Sequence, residues 1–294
     1  MPKSTEAENC VRKSLPDIAK MFESLPKHVF SSAELRKVMN EEWQSWQLGA
    51  TTQSEVIRIL MSGSPLKEIK LAFPYRPAHR YVWGEVTAFE LAQSLHAESY
   101  FSHYTALHLH GLTEQIPKTI YLNIEQPKKA GGGTLTQAGI DRAFKGKCRT
   151  STNFVRYEDR TICLLNGANT GKLGTMEMQT SNSFSGIRAT NIERTLIDSV
   201  VRPIYAGGVF EVAKAFRAAR EHVSSNKLAA YLRKLNYTYP YHQSIGFYMQ
   251  RAGYDSAQVA LMREFGMEHD FHLDYQMKST DYNEEWRLHI PKGF

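Results

Sequence analysis

The sequence contains little cysteine, and its cysteines are not spaced to bind a metal. Cys10, Cys148 and Cys163 are widely separated and form no CxxC pair, a pattern that favours reduced thiols over disulfides or a zinc knuckle. No apolar run reaches the roughly 18 residues that a membrane-spanning helix needs. The N-terminus, MPKSTEAENC, is polar and has no apolar signal region. We therefore expect a cytoplasmic protein with no membrane partner.

Signature motifs of several enzyme classes are also absent. The sequence has no GxSxG elbow and no HExxH segment. Asn169-Thr170-Gly171-Lys172-Leu173 contains a Gly-Lys pair, but only three residues separate Gly167 from Gly171, and Leu173 stands where a phosphate loop has Ser or Thr. These departures argue against a nucleotide phosphate loop in this segment.

Three histidines in the segment FSHYTALHLHGL raise the question of a metal site. His103, His108 and His110 are separated by five, two and seven positions along a predicted helix. Two histidines on one helix hold a metal when they are three or four positions apart, so this spacing does not favour chelation. We expect an amphipathic helix that begins at a serine and ends at Gly111, with a structural role for His110. The sequence predicts no catalytic residue, no metal and no cofactor.

A carboxylate cluster near the C-terminus carries the alternative to that expectation. If residues 271–277 form a strand, alternation places Asp270, His272 and Asp274 on one face. Oxygen and imidazole ligands on one face are suited to a divalent ion that hydrolyses phosphodiesters, so a metal-dependent nuclease stays open. The polar face of an ordinary exposed strand explains the same pattern.

Composition indicates a globular protein with a moderately basic charge. Hydrophobic residues make up 42% of the chain and charged residues 22%, and the net charge is +6. This charge permits a nucleic-acid partner without requiring one. Residues 126–160 hold eight Lys/Arg against three Asp/Glu. From this excess we expect a second basic surface at Lys128, Lys129, Lys145, Lys147 and Arg149.

The first 85 residues read as three helices followed by a hairpin. Helical spacing predicts a first helix over 15–25, with Pro16 in its first turn. The capping boxes Ser31-Ser32-Ala33-Glu34 and Thr52-Gln53-Ser54-Glu55 open the second and third helices. The second continues through Trp46 to Gly49, and the third through a core face of Val56, Ile57, Leu60 and Met61. Two short β-like runs follow, residues 66–73 and 80–83, joined by a proline-containing connection.

This order is typical of a winged helix-turn-helix domain, in which the third helix enters the major groove and the hairpin is the wing. A generic small α+β unit is the alternative. The predicted contacts are amide and guanidinium groups for base edges, hydroxyl groups for phosphates, and hairpin cations for the backbone. The candidate DNA-binding residues are Ser32, Thr51, Thr52, Gln53, Ser54, Arg58, Lys67, Lys70, Arg76, His79 and Arg80.

From about residue 86 the chain reads as a larger mixed α+β domain, 86–294. Strands are predicted near 119–124, 154–157, 162–165, 271–277 and 286–290. Helices are predicted over 88–95, 102–110, from a capping box at Thr190-Asn191-Ile192-Glu193 to Ile204, and over 209–222, 225–235, 245–251 and 256–265. The predicted fold class is therefore α+β, with an N-terminal winged helix-turn-helix domain at 1–85.

Three stretches together resemble a known family. They are FSHYTALHLHGL at 101–112, IRATNIERTLID at 187–198, and YPYHQSIGFY at 239–248, with a closing WRL at 286–288. Their order is similar to the AbiEi family of bacterial antitoxins, from abortive-infection phage defence and type IV toxin–antitoxin systems. The similarity spans most of residues 15–294.

The resemblance implies a DNA-binding protein with no enzymatic activity and no cofactor. Its expected partners are double-stranded DNA, at inverted repeats upstream of its own operon, and a cognate nucleotidyltransferase toxin that it counteracts without a stable complex. It implies autoregulation as a transcriptional repressor, with a cytoplasmic, nucleoid-associated location. A protein-interaction module is a third interpretation, since a winged helix can also bind proteins.

Overall fold

The structure is a computed structural model that describes residues 2–127, 134–179 and 186–294, without the side chains of residues 2–6. It is mixed α+β, as the sequence predicts. Its first elements are α1 (Pro2–Ser24), β1 (Val29–Phe30), α2 (Ser32–Glu42), α3 (Gln53–Gly63), β2 (Leu66–Leu71), β3 (Ala78–Trp83), α4 (Ala88–Gln93), β4 (Tyr100–Phe101), α5 (His103–Leu109), β5 (Thr119–Gln126) and α6 (Gln137–Lys145).

The chain continues with four strands and then with a mainly helical region. These elements are β6 (Phe154–Tyr157), β7 (Arg160–Ala168), β8 (Thr175–Met178), β9 (Ile187–Thr190), α7 (Ile192–Val201), a 3-10 turn (Pro203–Tyr205), α8 (Val209–Ala219), α9 (Ser225–Leu235), α10 (Tyr241–Arg251), α11 (Ser256–Arg263), β10 (Phe271–His272), β11 (Thr280–Asn283) and β12 (Leu288–Pro291). The sequence predicts most of the helices, and it misses α6 and the strands β1, β4, β8, β9 and β11.

The chain divides into two compact units. The first comprises Met1–Ala97, Asn153–Glu158 and Met178–Ile187; the second comprises Glu98–Thr152, Asp159–Glu177 and Arg188–Phe294. In the first unit, β1, β3 and β2 form an antiparallel sheet in that order. Its core centres on Phe22 and Trp83, whose rings stack at 4.6 Å, with helices α1, α2 and α3 around them.

Helix α1 is longer than predicted, and Pro16 lies inside it rather than in its first turn. A single buried stripe explains the extension, because Ala7, Val11, Ile18 and Phe22 all face the core. This burial offsets the backbone hydrogen bond that an internal proline removes. The sequence wrongly places Pro16 in the first turn, because the apolar residues before it are few and widely spaced among polar ones.

Two further predictions in the first unit need correction. Helix α2 ends at Glu42 rather than continuing to Gly49, and Trp46 reaches the core from the turns that follow. On α3, Met61 is predicted to face the core but is 39% exposed, whereas Ile59, which is not predicted there, is buried. At 100° per residue Met61 lies about 140° from Val56, which places it on the outer side of the helix.

In the second unit, four strands lie side by side in one sheet, in the order β7-β5-β4-β9. Strand β5 pairs in parallel with β7 and antiparallel with β4, and β4 pairs in parallel with β9. A small sheet, β10-β12-β11, closes the chain. Helices α7 to α11 supply most of the core, which includes the fully buried Trp286.

Helix α7 begins one residue later than the predicted capping box and ends earlier than predicted. Its N-cap is Asn191, whose side chain accepts the Arg194 N–H at 3.0 Å, while the Thr190 hydroxyl bonds to Thr195. The helix ends at Val201 because Pro203 lacks the N–H that another turn requires. A 3-10 turn carries the chain onward to Gly207 and Gly208, which both have positive φ.

Candidate nucleic-acid interface

The interface candidates on α3 begin at its N-cap. The Thr52 hydroxyl accepts the Glu55 N–H and donates to the Glu55 carboxylate, which also accepts the Thr52 N–H at 2.9 Å. This is the capping box that the sequence predicts. The Thr52 hydroxyl is therefore occupied in fixing the helix start.

Neighbouring hydroxyls and amides at the start of the helices have different roles. Gln53 donates its amide to the Asn40 side chain, which joins the start of α3 to α2. Ser32 is exposed in the first turn of α2, but Ser31 is the capping residue there. Ser54 is exposed and Thr51 is half-buried, so their hydroxyls lie at the surface near the N-terminus of α3.

The outer face of α3 carries a guanidinium. Arg58 is exposed and lies one turn after Ser54, whereas Val56, Ile57 and Leu60 are buried on the opposite face. Within the described part of the chain, Arg58 makes no ion pair. The local spacing thus gives α3 a core side and a polar outer side with a free cation.

The β2–β3 hairpin pairs from Leu66↔Trp83 to Leu71↔Ala78 and projects a six-residue connection. In this connection Phe73 is buried, whereas Tyr75 is 73% exposed and Arg76 is exposed. Pro74 and Pro77 flank these two residues and restrict the backbone. The hairpin tip therefore presents an aromatic ring and a cation on a stiffened loop.

Three of the five predicted hairpin cations are paired with acids. Lys67 contacts Glu85 at 2.8 Å, and Lys70 contacts Glu68 at 3.4 Å. His79 hydrogen-bonds to Glu68 at 3.1 Å, and this bond is the main cause of a lowered Glu68 pKa. All of these pairs have at least one well-exposed member, so water screens them and a phosphate can replace the acid.

The fourth hairpin cation, Arg80, is turned inward and is not a surface contact as expected. Its side chain is buried, and its guanidinium donates to the carbonyls of Ser94 at 2.9 Å, Leu95 at 3.1 Å and His79 at 2.8 Å. Burial lowers its pKa. Arg80 ties the hairpin to the segment after α4, whereas Arg76 alone of the five lies at the tip without an ion pair among the described residues.

The predicted second basic surface is described in part. Lys128 and Lys129 lie outside the described residues. Lys145, Lys147 and Arg149 are exposed, as is Arg142, and Lys145 and Arg142 occupy the last turn of α6. Cations at a helix C-terminus complement its dipole, so part of this charge stabilises α6.

The alternating face predicted for the nuclease alternative does not form. Strand β10 is only two residues long, so the chain bends after His272. Asp270 accepts from Arg287 at 2.8 Å and from Tyr282 at 2.8 Å, and Asp274 accepts its neighbour's N–H. His272 contacts Asp141 at 3.2 Å. Across residues 2–127, 134–179 and 186–294, no three His, Cys, Asp or Glu side chains are grouped to hold a metal.

The three histidines of α5 do not converge. His103 opens the helix with a φ of 52°, is buried, and bonds to the Ser102 hydroxyl at 2.8 Å. Burial lowers its pKa to about 4. His108 is half-buried, and His110 bonds through Nε2 to the Thr190 carbonyl at 2.6 Å. His110 thus joins α5 to the end of β9, in agreement with the structural role predicted for it.

A buried polar network in the second unit was missed from sequence. Arg194 pairs with Asp198 at 2.7 Å, and both are buried. Arg194 also donates to Thr170 and to the Leu173 carbonyl, which holds the Gly-Lys turn in place. The i, i+4 spacing of Arg194 and Asp198 is visible in the sequence, but their partner 24 residues upstream is not.

Glu125 fixes the same turn from the other side. Its carboxylate accepts the N–H groups of Thr170 at 3.0 Å and Lys172 at 3.2 Å, and also the Thr170 hydroxyl. An acid fills the place where a phosphate loop would hold an anion. The turn is therefore structural, as its departure from the phosphate-loop spacing predicts.

Comparisons with known proteins place the fold and leave function open. No protein-family model and no curated protein matches the chain. A solved structure that resembles it is the crystal structure of the RV2827C protein from Mycobacterium tuberculosis, with a TM-score of 0.61 and 12% sequence identity. The likeness covers 95% of this chain and 91% of that chain, so the two share an overall fold. Within the described residues, no helix is long and apolar enough to span a membrane.

Proposed function

We propose that the protein is a DNA-binding antitoxin that represses its own operon and counteracts a nucleotidyltransferase toxin. The first unit acts as a winged helix-turn-helix that binds inverted repeats in double-stranded DNA. We call DNA binding the DNA half of this proposal and toxin neutralisation its antitoxin half. The DNA half rests on the order of the elements together with the polar residues that they expose. The order α1-β1-α2-α3-β2-β3, with its β1-β3-β2 sheet, places a polar-faced α3 directly before an exposed hairpin.

The outer face of α3 supports base and phosphate contact. Arg58 is long enough to reach a guanine edge in the major groove, and Ser54 and Thr51 are placed to bind phosphates at the helix start. Gln53 reads adenine in this proposal only after it exchanges its Asn40 partner for a base.

The hairpin supports a backbone contact that complements α3. Arg76 is available at the tip, and Lys67 and Lys70 hold only exposed ion pairs. An Arg at a projecting tip suits the minor groove, where it meets concentrated negative potential. Arg80 is not part of this contact, because its guanidinium is bound to backbone carbonyls.

The antitoxin half depends on the family resemblance of the second unit. Its three motifs lie at α5, at β9–α7 and at the start of α10. The metal-dependent nuclease is not carried further, because Arg287 and Tyr282 occupy Asp270 and the shared face with Asp274 does not form.

The DNA half is tested by a gel-shift titration with the region upstream of the protein's own gene. The variant Arg58→Ala with Arg76→Ala is expected to bind at least about tenfold more weakly, since each Arg contact is worth about 1–3 kcal/mol. A matched control removes two exposed cations of the second unit, Arg217→Ala with Lys234→Ala. If the wild type fails to bind, or if both double variants bind alike, the DNA half is rejected.

The antitoxin half is tested by growth. The proposal predicts a nucleotidyltransferase gene beside this one. Expression of that enzyme should arrest the cells, and co-expression of this protein should restore growth. The Arg58→Ala, Arg76→Ala variant should still restore growth, because DNA binding and neutralisation are assigned to different units. Continued arrest in the presence of well-expressed wild-type protein rejects this half.

A further inference from the structure

An aromatic cleft lies in the second unit, away from the features used above. It opens between the α9–α10 connection (residues 236–240) and the turn after α11 (residues 264–270) and has two lobes. The larger has a volume of about 420 Å³ and the smaller about 260 Å³. Both lobes are lined by the same four rings, Tyr237, Tyr239, His242 and Phe265, which define the aromatic cleft.

The rings of the cleft are held in place before any ligand arrives. His242 and Phe265 stack at 5.3 Å with an interplanar angle of 16°. The Gly266 carbonyl can only accept, so His242 Nε2 carries a proton and donates it to that oxygen at 2.6 Å. Burial lowers the pKa of this ring. Tyr239 is braced from behind by Phe144 at 5.4 Å. The cleft is therefore a preformed stacking surface.

Polar groups differ between the two lobes. Thr134, Thr238 and Glu268 line the larger lobe, and these residue types supply both donors and acceptors. The smaller lobe has Arg233 and Asn236. A planar ring with a hydrogen-bonding edge suits the first lobe, and an anion suits the second.

The Arg233 guanidinium can exchange its carboxylate partner for a phosphate. It lies over the Phe265 ring at 5.0 Å and pairs with Glu264 at 2.7 Å, and both side chains of the pair are about half exposed. Such a pair contributes little in water, so a phosphate can displace Glu264. The guanidinium fork binds phosphate with two parallel hydrogen bonds.

We propose that the aromatic cleft binds a mononucleotide, with the base stacked in the larger lobe and the phosphates at Arg233 in the smaller. The volume of the larger lobe, about 420 Å³, lies in the range of small-molecule sites. Stacking of a base on aromatic rings tolerates any base, so specificity comes from Thr238 and Glu268 at the edge. Arg233 is the one Lys or Arg among the residues that line the two lobes, whereas a strand binds along a row of cations, which favours a free nucleotide over a strand. This site goes beyond the proposed DNA and toxin functions.

The test is isothermal titration of the full-length protein with ATP, GTP, CTP and UTP, and with the corresponding nucleosides. At least one triphosphate is expected to bind. Phe265→Ala should weaken that binding about tenfold or more, since this ring holds both His242 and Arg233 in the cleft. Arg233→Ala should weaken triphosphate binding and leave nucleoside binding unchanged. Arg220→Ala removes a similarly exposed, acid-paired arginine and serves as the matched control.

Several outcomes overturn the proposal. These are no heat from any nucleotide at 1 mM, equal binding by wild type and Arg233→Ala, or tighter binding of a short single-stranded oligonucleotide than of the mononucleotide. Circular dichroism shows whether Phe265→Ala is folded. If it is not, the difference between triphosphate and nucleoside binding by Arg233→Ala decides alone. Loss of DNA binding or of toxin neutralisation leaves this result unaffected, so the two proposals fail independently.

Discussion

At the scale of single residues, His103 links the stability of the second unit to pH. Its ring is buried and bonded to Ser102, and burial lowers its pKa from 6.5 to about 4. Above pH 6.5 the ring is neutral in both the folded and the unfolded chain. Between pH 6.5 and about 4 only the unfolded chain takes up the proton, so stability falls as the pH falls.

We expect His103→Asn to remove part of that pH dependence. Asparagine tolerates the positive φ at this position and does not titrate. The free energy of unfolding in urea, measured at pH 7.5 and 5.0, should drop by about 1–2 kcal/mol more for the wild type than for the variant. The same drop in both proteins would show that His103 takes up its proton without unfolding.

Substitution of two hairpin arginines, Arg80 and Arg76, should change stability by different amounts. Arg80→Ala leaves the carbonyls of Ser94 and Leu95 without their donor and should lower the free energy of unfolding by about 1–3 kcal/mol. Arg76→Ala is expected to change stability by less than about 0.5 kcal/mol, since this residue is exposed. Urea unfolding of both variants measures the difference. A wild-type midpoint for Arg80→Ala would contradict the inward role of that residue.

At the scale of elements, the packing of helix α10 against Trp286 depends on one glycine, Gly246. A Cβ on Gly246 would lie 2.1 Å from the Trp286 ring, so the ring packs directly on the helix backbone. Gly246→Ala should therefore lower the free energy of unfolding by about 1–3 kcal/mol through overpacking. Gly63→Ala, at the end of α3 with open space around it, is the control and should change stability by less than about 1 kcal/mol. Equal effects of the two substitutions would mean that the ring moves aside.

Local signals predict elements well where they are strong and close together. The capping boxes at Ser31 and Thr52 place the starts of α2 and α3 correctly, and helical spacing gives α9 its residue range. Strand β1 could not be predicted, because two residues have no period and pair only with a strand about 50 positions later. In the small sheet, strands are predicted near β10 and β12, but β10 ends at His272 rather than at residue 277, and β11 is missed.

The candidate interface was predictable as a surface but not in its contacts. Exposed Ser54, Arg58 and Arg76 follow from periodicity and from a proline-flanked turn. The inward turn of Arg80 does not, because its acceptors lie in a loop beyond the predicted domain boundary. The ion pairs of Lys67 and Lys70 also depend on a strand register that single-residue patterns do not specify.

At the scale of the whole molecule, the proposed DNA binding would depend on salt, as expected for a chain with a net charge of +6. Each phosphate neutralised by Lys or Arg releases counterions, so the logarithm of the binding constant falls linearly with the logarithm of the salt concentration. Removal of Arg58 and Arg76 should reduce that slope by about 1, because Arg76 is assigned to the backbone and Arg58 to a base edge. The second unit serves as an internal reference, since removal of Arg217 and Lys234 should leave the slope unchanged.

Fluorescence anisotropy of a labelled duplex from upstream of the gene, titrated from 50 to 300 mM salt, tests the central claim most directly. A scrambled duplex of the same length is the reference. We predict much tighter binding to the upstream duplex, a steep salt slope, and a shallower slope for Arg58→Ala with Arg76→Ala. Equal binding to both duplexes, or no binding at 50 mM salt, would contradict the claim that this protein is a sequence-specific DNA-binding repressor.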